Sequence, residues 1–286
     1  MDIKKVGIIG AGVMGSGIAE ILAKSGYDVV LKDMEESCIQ SGMKNIEKNL
    51  KKSVDKGKLT EDEKEVIKSR ITGTINNQLL TECQLVIEAA SEKMAVKKII
   101  FEELDRVCPS ETILASNTSS LSITEIANST KRPEKVIGMH FFNPVPVMKL
   151  VEVIRGINTS DDTRNAVVTM AENLDKVSVE VEEAPGFLVN RVLVTMINEA
   201  VGVLADGVAT AEDIDTAMKL GANHPIGPLA LADLIGNDVC LHIMEVMYEE
   251  YADSKYRPHP LLRKMVRGNL LGRKVGQGFF SYERQG

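Results

Sequence analysis

The N-terminal segment carries the pattern that most limits what this chain can fold into. An apolar run ends in the glycine turn 10–15, a helix-forming segment follows, and a second apolar run, Tyr27–Leu31, ends at Asp33. This order of strand, glycine turn, helix, strand and acid is typical of the mononucleotide-binding half of a dinucleotide fold. It predicts a parallel sheet whose first loop binds phosphate groups.

Each part of this pattern has a physical reason in such a fold. Gly10 permits the tight turn, Gly12 lets backbone amides approach a pyrophosphate, and Gly15 lets the helix pack closely on the sheet. The phosphates meet the helix N-terminus, which favours negative charge. Asp33 would accept hydrogen bonds from a ribose diol and repel a 2′-phosphate, so NAD is expected rather than NADP, with a purely structural turn as the alternative. The predicted contacts in the turn are Gly10, Ala11, Gly12, Val13, Met14 and Gly15.

Composition excludes several classes of protein. Of the 286 residues, 44% are hydrophobic and 26% charged, as in globular proteins. The net charge of −7 argues against nonspecific binding to nucleic acid, and no apolar run approaches the roughly 20 residues that span a bilayer. The four cysteines are scattered and the histidines are not paired at ligand spacing. We therefore expect a cytoplasmic protein with reduced thiols and no metal site.

Strand and helix patterns alternate as far as residue 183, and this alternation predicts a Rossmann-type, mostly parallel sheet covered by helices. The turn at 184–186 indicates a boundary, and the pattern beyond it is almost purely helical, with a capping box at Thr210 and Asp213 and one long helix over 233–251. We expect an α/β domain over 1–183, with a helical arm over about 37–69, and an all-helical domain over 184–286.

Two apolar strands joined by a short connection hold the most suggestive chemical group. The connection between 136–142 and 149–154 is too short for a crossover helix, so strands that pair here pair antiparallel. With the turn centred on Pro146, His140 falls opposite Glu152 on the same face. A carboxylate on one imidazole nitrogen fixes the tautomer and leaves proton transfer to the other nitrogen. The pair predicts the acid–base step of a hydroxyl-to-carbonyl oxidation, with a satisfied core histidine as the alternative.

Three further features are candidate binding groups. The polar run 116–120 follows a predicted strand, so Asn117 and Ser119 are candidates to contact a substrate oxygen or a nicotinamide ribose, or else to cap the next helix. Asn190 lies on an otherwise apolar helix, where it either packs or donates into a cleft. Six lysines against two acids over 44–58 indicate either a phosphorylated ligand or a solvated helix face.

Several long motifs occur in one order along nearly the whole chain. They are GAGVMGSGIA from Gly10, SNTSS from Ser116, HFFNPVPVMKLVEV from His140, APGFLVNRV from Ala184, GPLALAD from Gly227 and GRKVGQGFFSY from Gly272. Together they closely resemble the L-3-hydroxyacyl-CoA dehydrogenase family. The resemblance implies the NAD-dependent interconversion of (S)-3-hydroxybutyryl-CoA and acetoacetyl-CoA, and a homodimer built through the helical domain.

The resemblance also implies roles for matched residues. His140 is expected to be the catalytic base and Glu152 its orienting partner, with Ser119 and Asn190 holding the substrate oxygens. The lysine-rich helix resembles an arm that meets coenzyme A, with Lys56 as its best-matched contact and Lys52 as a further candidate from the same run. The further cofactor contacts that it implies are Glu92, Lys97, Asn143 and Lys274, beside the candidates Asn117 and Ser119 from the polar run.

Two alternatives from the sequence stay open. An enzyme of the same scaffold would act on a longer 3-hydroxyacyl-CoA, a free hydroxy acid or a sugar acid. A catalytically silent NAD-binding protein would keep the fold without the activity. The lysine-rich arm argues against a free acid, and the intact His140 and Glu152 argue against a silent protein.

Overall fold

The computed structural model describes residues 2–282, and its first compact unit, Met1–Glu183, is built on one eight-stranded sheet. The strand order is β3-β2-β1-β4-β5-β6-β7-β8, and every neighbouring pair is parallel except β6 and β7. The strands are β1 Lys5–Ile9, β2 Asp28–Lys32, β3 Ile71–Thr74, β4 Leu85–Glu88, β5 Ile113–Ser116, β6 Val136–Phe141, β7 Leu150–Arg155 and β8 Val177–Glu182. The predicted Rossmann-type sheet is therefore confirmed.

Helices cover this sheet because its central strands β4, β5 and β6 are buried on both faces, as parallel strands between helices are. They are α1 Val13–Lys24, α2 Glu36–Asp55, α3 Glu61–Ser69, α4 Met94–Val107, α5 Ile123–Ala127 and α6 Asp161–Asn173. The chain leaves β1 toward β2 and β3, then returns to β4 on the other side of β1. The carboxyl ends of β1 and β4 thus form the switch point at which such sheets bind ligands.

The second compact unit, Ala184–Gly286, is helical over its described residues. Its α-helices are α7 Val189–Ala205, α8 Ala211–Gly221, α9 Pro228–Ile235, α10 Asn237–Tyr251 and α11 Pro260–Arg267. The apolar stripe predicted on the first of these helices forms a core, in which Val194, Ile197 and Val201 are buried. Across residues 2–282 we find no helix with both the length and the apolar character needed to cross a membrane.

Two local predictions in this unit are wrong in detail. The helix expected over 233–251 is interrupted, because Gly236 has a φ of 109° and separates α9 from α10. Thr210 caps α8 by accepting from the Asp213 amide, as expected. However, the Asp213 carboxylate accepts from the Thr210 hydroxyl, and no reciprocal bond to the Thr210 backbone completes a capping box in this part of the structure.

Candidate active site

The glycine turn links β1 to α1 and has the shape that the sequence predicts. Gly10 has a φ of 101°, and a Cβ there would lie 2.6 Å from the Ala89 carbonyl oxygen. A Cβ on Gly15 would lie 1.8 Å from the Gly10 carbonyl oxygen, whereas one on Gly12 would meet no atom within 4 Å. The turn is therefore tight at its two ends and open at Gly12, the N-cap of α1. This open helix N-terminus suits an anionic group such as a pyrophosphate.

Asp33 follows β2 and lies beside this turn. Its Oδ2 accepts a hydrogen bond from the Ala11 amide at 2.7 Å, and its Oδ1 accepts one from the Met34 amide at 2.7 Å. The carboxylate is thus fixed against the glycine turn, at the carboxyl edge of the sheet. Val13 and Met34 expose most of their side chains here, at 66% and 86%, while Met14 packs against the core.

His140 and Glu152 face each other across β6 and β7. They are directly paired in the antiparallel register that the sequence predicts, which confirms that part of the prediction. His140 Nδ1 lies 2.7 Å from Glu152 Oε2, and the glutamate is fully buried. The Phe142 ring packs at a tilt on the imidazole, with ring centroids 4.5 Å apart. The carboxylate holds the ring by Nδ1, so that proton transfer falls to Nε2.

A buried ion pair lies at the carboxyl ends of β4 and β5. Glu88 is fully buried, and its two carboxylate oxygens lie 2.9 and 2.6 Å from the Lys97 ammonium. The same carboxylate accepts from the Ala90 amide and the Ser116 hydroxyl, each at 2.8 Å. Every acceptor position of Glu88 is therefore used, which is what a buried charge requires. Lys97, which the resemblance assigned to the cofactor, is only 2% exposed.

Glu92 connects this ion pair to the polar run 116–120. Its Oε2 lies 3.5 Å from the Lys97 ammonium, and its Oε1 accepts from the Thr118 hydroxyl at 2.7 Å. The Ser119 amide and hydroxyl donate to the same oxygen at 2.8 and 2.9 Å. Partial burial raises the pKa of Glu92, but the Lys97 ammonium and these hydrogen bonds outweigh it, and the pKa is lowered from its ordinary 4.5. Glu92 is therefore in its carboxylate form when it accepts the hydrogen bonds from Ser119.

Asn117 ties neighbouring strands together. Its Oδ1 accepts from the Phe141 amide at 2.9 Å, and its own amide donates to the Glu88 carbonyl at 2.8 Å. One residue thereby connects the ends of β4 and β6 at the carboxyl edge of the sheet. Ser122, rather than any residue of the run 116–120, caps α5.

The lysine-rich segment forms one wall of a cleft. Helix α2 and the turn after it contribute Lys52, Lys56 and Lys58 to a cavity of about 440 Å³, and the loop after β6 contributes Pro144, Pro146 and Val147 to the facing wall. A smaller cavity of about 260 Å³ is lined by Asn143 and Lys48, with Lys52 again on its wall. Among the described residues, Glu20 is the only acidic one on either lining, and it pairs with Lys24 at 2.5 Å.

The two predicted site residues of the second unit have the following surroundings. Asn190 is the second residue of α7 and is half-buried. Lys274 lies in the short helical turn Arg273–Val275, and its ammonium is 2.5 Å from Asp238 Oδ1 at the start of α10.

Comparison with known proteins assigns both units. Residues 5–184 match the NAD binding domain of 3-hydroxyacyl-CoA dehydrogenase, and residues 186–282 match its C-terminal domain. The chain belongs to the 3-hydroxyacyl-CoA dehydrogenase family.

Individual members of the family match along the whole chain. A 3-hydroxybutyryl-CoA dehydrogenase of Clostridioides difficile is 56% identical over 98% of this chain and 100% of its own length. The human mitochondrial hydroxyacyl-coenzyme A dehydrogenase is 43% identical over 98% of this chain and 92% of its own length. Among solved structures, the (S)-3-hydroxybutyryl-CoA dehydrogenase of Ralstonia eutropha is 49% identical, with a TM-score of 0.97 over 99% of this chain and 100% of that chain.

In this dehydrogenase, sequence reasoning missed Glu88 and Thr118, which organise the edge of the sheet. One signal pointed to Glu88, because an acid that directly follows the apolar run Leu85–Ile87 is a candidate for a buried charge at a strand end. No comparable signal pointed to Thr118, since a hydroxyl within a polar run is indistinguishable from its neighbours.

Proposed function

We propose that the protein interconverts (S)-3-hydroxybutyryl-CoA and acetoacetyl-CoA with NAD(H), with His140 and Glu152 as the acid–base pair. The observation that carries the proposal is the 2.7 Å contact between His140 Nδ1 and Glu152 Oε2. A histidine oriented by a buried carboxylate is suited to moving a hydroxyl proton. The names of the relatives from Clostridioides difficile and Ralstonia eutropha support the four-carbon substrate.

The glycine turn and Asp33 fit the cofactor that the family's first domain binds. The open space at Gly12 would receive the pyrophosphate, with backbone contacts over residues 10–15, and Asp33 would accept from a ribose diol. Bound NAD supplies the hydride acceptor. The remaining contacts proposed are Glu92, Asn117, Ser119, Asn143 and Lys274, together with Lys97, which is buried and would act through Glu88 and Glu92.

Proton transfer is the work of the chain's own residues. In the oxidative direction His140 takes the proton of the substrate hydroxyl through Nε2, and Glu152 stabilises the imidazolium that forms. In the reductive direction the protonated His140 gives that proton back to the carbonyl oxygen. Ser119 and Asn190 polarise this oxygen by hydrogen bonding, and such donors act most strongly when they are already in position. The bonds that the Ser119 amide and hydroxyl donate to Glu92 hold this residue in place, and the hydroxyl turns from Glu92 to the substrate oxygen when it takes this role.

The lysine-lined cleft is the proposed site for the nucleotide part of coenzyme A. Lys52 and Lys56 line a cavity of a size that suits a ligand, and a cationic wall attracts phosphate groups. A small free hydroxy acid has a carboxylate but no nucleotide phosphates, so it could use only a small part of this wall. The cleft therefore favours a CoA ester over the free-acid alternative.

The assembly and location follow the family expectation. We infer a homodimer through the helical domain, supported by an apolar cavity of about 400 Å³ along α7 and α8 whose lining includes Val203, Ile214 and Met218. We also infer that the enzyme works in the cytoplasm, in fatty acid and butyrate metabolism. Its four free cysteines support this location, because thiols stay reduced there.

The decisive experiment follows NADH absorbance at neutral pH with three substrates: acetoacetyl-CoA, free acetoacetate and a longer 3-oxoacyl-CoA. We expect rapid NADH oxidation with acetoacetyl-CoA, at least a hundredfold loss in His140→Ala, and slower turnover of the longer ester. Preference for the longer ester or for the free acid would move the enzyme to one of the alternatives. Absence of turnover with all three would indicate a silent NAD-binding protein.

A further inference from the structure

A buried lysine outside the proposed site has no part in the chemistry described so far. Lys176 lies in the turn between α6 and β8, and only 8% of its surface is exposed. Burial of an ammonium costs free energy, and an apolar side chain of similar size would fill the same space at lower cost. Its charge therefore calls for an explanation other than packing.

The hydrogen bonds of Lys176 all lead to one loop. Its ammonium donates to the Val145 carbonyl and to the Met148 carbonyl, each at 2.6 Å. Within residues 2–282 no carboxylate comes within 4 Å of this ammonium, so these carbonyls, and not an ion pair, take the charge. Burial lowers the pKa of Lys176, and the ammonium groups of Lys149 and Lys24 lower it further, while the Asp175 carboxylate opposes them in part. The bonds to the loop are thus charge-assisted and shielded from water, the condition in which such bonds are strongest.

The loop in question, residues 142–149, joins the two strands that carry His140 and Glu152. We call it the dyad loop. Val145 is buried, and a Cβ on Gly17 of α1 would lie only 3.0 Å from its Cβ, so the loop is pressed against the helix that follows the glycine turn. The Val147 and Met148 amides both donate to the Pro144 carbonyl, which closes the loop on itself.

The outer side of the dyad loop forms the cleft wall that faces Lys52 and Lys56. Lys176 holds the loop at Val145 and Met148. It thereby fixes the residues beside and between these two points, of which Pro144, Pro146 and Val147 line that cleft. Positional errors of about 1 Å in a binding wall weaken the interactions that depend on it. Lys176 therefore affects the width of the cleft through the position of the dyad loop.

We propose that Lys176 is a positioning residue for coenzyme A, which sets the width of the lysine-lined cleft by holding the dyad loop through the carbonyl groups of Val145 and Met148. This inference rests on the proposed function of the cleft. It assigns Lys176 an effect on binding of the nucleotide part of the substrate, and no direct contact with the substrate.

The test compares Lys176→Met, which keeps the length of the side chain and removes its donors, with the matched control Lys149→Met. Lys149 lies at the end of the same loop and pairs with Asp175, but its side chain is 66% exposed, so that pair contributes little. The substrates are acetoacetyl-CoA and its truncated analogue acetoacetyl-N-acetylcysteamine, which has the thioester without the nucleotide. Hydrogen exchange of a peptide covering 142–149 reports the loop directly.

We expect Lys176→Met to raise the KM for acetoacetyl-CoA about tenfold, which is less than the direct cost of two lost charge-assisted hydrogen bonds because the anchor acts on coenzyme A only through the loop. We expect kcat/KM for the truncated thioester to stay within about twofold. Exchange at the dyad loop should speed up in Lys176→Met and not in Lys149→Met. Lys176→Arg, which keeps a cationic donor, should recover part of the lost affinity. If Lys176→Met does not fold, Lys176→Gln serves in its place.

Three results would overturn the inference: equal losses with both substrates, a loosened loop without a change in KM, or a change in KM without a loosened loop. Failure of the proposed cleft is distinguished by the wild-type enzyme, which would then use both thioesters equally well. In that case Lys52→Gln and Lys56→Gln would also leave the KM unchanged, whereas a failure of the anchor alone would leave their effect intact.

Discussion

Glu152 meets His140 directly across one pair of antiparallel strands, with its Oε2 2.7 Å from Nδ1 and its side chain fully buried. Because both residues lie inside regular strands, the backbone ladder fixes their separation. A carboxylate in this place selects the imidazole tautomer and stabilises the imidazolium. The pair thus resembles the base and its orienting acid in other enzymes that move a hydroxyl proton.

Replacement of Glu152 by Gln tests this relationship with little change in volume. The amide cannot stabilise the imidazolium, so kcat with acetoacetyl-CoA should fall about a hundredfold or more, the scale of one general acid–base contribution. KM should change little, because Glu152 holds His140 and lines neither cavity of the lysine-lined cleft. Steady-state kinetics with thermal unfolding as the folding control measures both. A kcat within twofold of wild type would show that the carboxylate is dispensable.

Substitution of Ala for Gly12 and for Gly15 should have opposite effects: the first should weaken NADH binding, and the second should destabilise the fold. A Cβ on Gly12 meets no atom within 4 Å, so Gly12→Ala should fold and melt close to wild type. Its methyl group would enter the space proposed for the pyrophosphate, so the Kd for NADH should rise at least tenfold, an effect of about 1.4 kcal/mol. Gly15→Ala would place its Cβ 1.8 Å from a carbonyl oxygen and should destabilise the fold itself. Fluorescence titration of NADH and thermal melting separate the two. Tight NADH binding by Gly12→Ala would contradict the proposed phosphate site.

Lys52 and Lys56 should act on the CoA ester alone. The double change to Gln removes two positive charges from the cleft wall and should raise the KM for acetoacetyl-CoA on the order of tenfold, with the KM for NADH unchanged. The effect should shrink as ionic strength rises, because salt screens exposed charges. Lys51→Gln is the matched control, since Lys51 is exposed on the same helix and lines neither cavity. A similar rise in KM for Lys51→Gln would show that the KM depends on the net charge of the protein and not on lysines placed in the cleft.

Local patterns were sufficient to predict the sheet and the His140–Glu152 register. The strand periodicity, the short connection after β6 and the position of Pro146 within it are features of neighbouring residues. In an antiparallel pair these features decide which residues lie opposite each other. The helix break at Gly236 was not predicted, because glycine is tolerated within helical patterns and only the surrounding fold sets its φ of 109°.

The contacts of Lys97 and Lys176 could not be predicted from the sequence, for a different reason. Both are lysines in segments rich in charge, where a solvated side chain is the ordinary expectation. The partner of Lys176, Val145, lies 31 residues away in the sequence. Lys97 is only 9 residues from Glu88, but the two side chains meet because the end of β4 and the start of α4 are placed together. Only the folded chain brings such groups together.

Asp233 holds the C-terminal segment of the second unit. Its carboxylate is buried and accepts from the amides of Phe279 and Phe280, the Tyr282 hydroxyl and the Asn237 side chain, at 2.9 to 3.1 Å. Asp233→Ala leaves these donors without an acceptor and should lower the free energy of unfolding by about 2–4 kcal/mol in urea titrations.

The matched control for Asp233 is Asp238→Asn, which breaks a half-exposed pair with Lys274 and should cost at most about 1 kcal/mol. Equal losses in both variants would show that the buried carboxylate contributes no more than an exposed one.

Glu92 should give the enzyme a component of acid sensitivity. Partial burial raises its pKa, but the Lys97 ammonium and the hydrogen bonds from Thr118 and Ser119 dominate, so the folded-state pKa is lowered from 4.5. The unfolded chain then binds more protons near and below pH 4.5. The stability that ionised Glu92 contributes is therefore present above that pH and is lost as the pH falls through the lowered folded value.

Urea unfolding of wild type and Glu92→Gln between pH 6 and about pH 3.5 measures this contribution. The difference in unfolding free energy should be largest at the upper end of the range and narrow as the pH falls, because Gln does not titrate. Glu102→Gln, an exposed position on α4, controls for the loss of one negative charge. A difference between wild type and Glu92→Gln that stays constant across the range would show that Lys97 and the two hydroxyl residues do not favour the ionised form of Glu92.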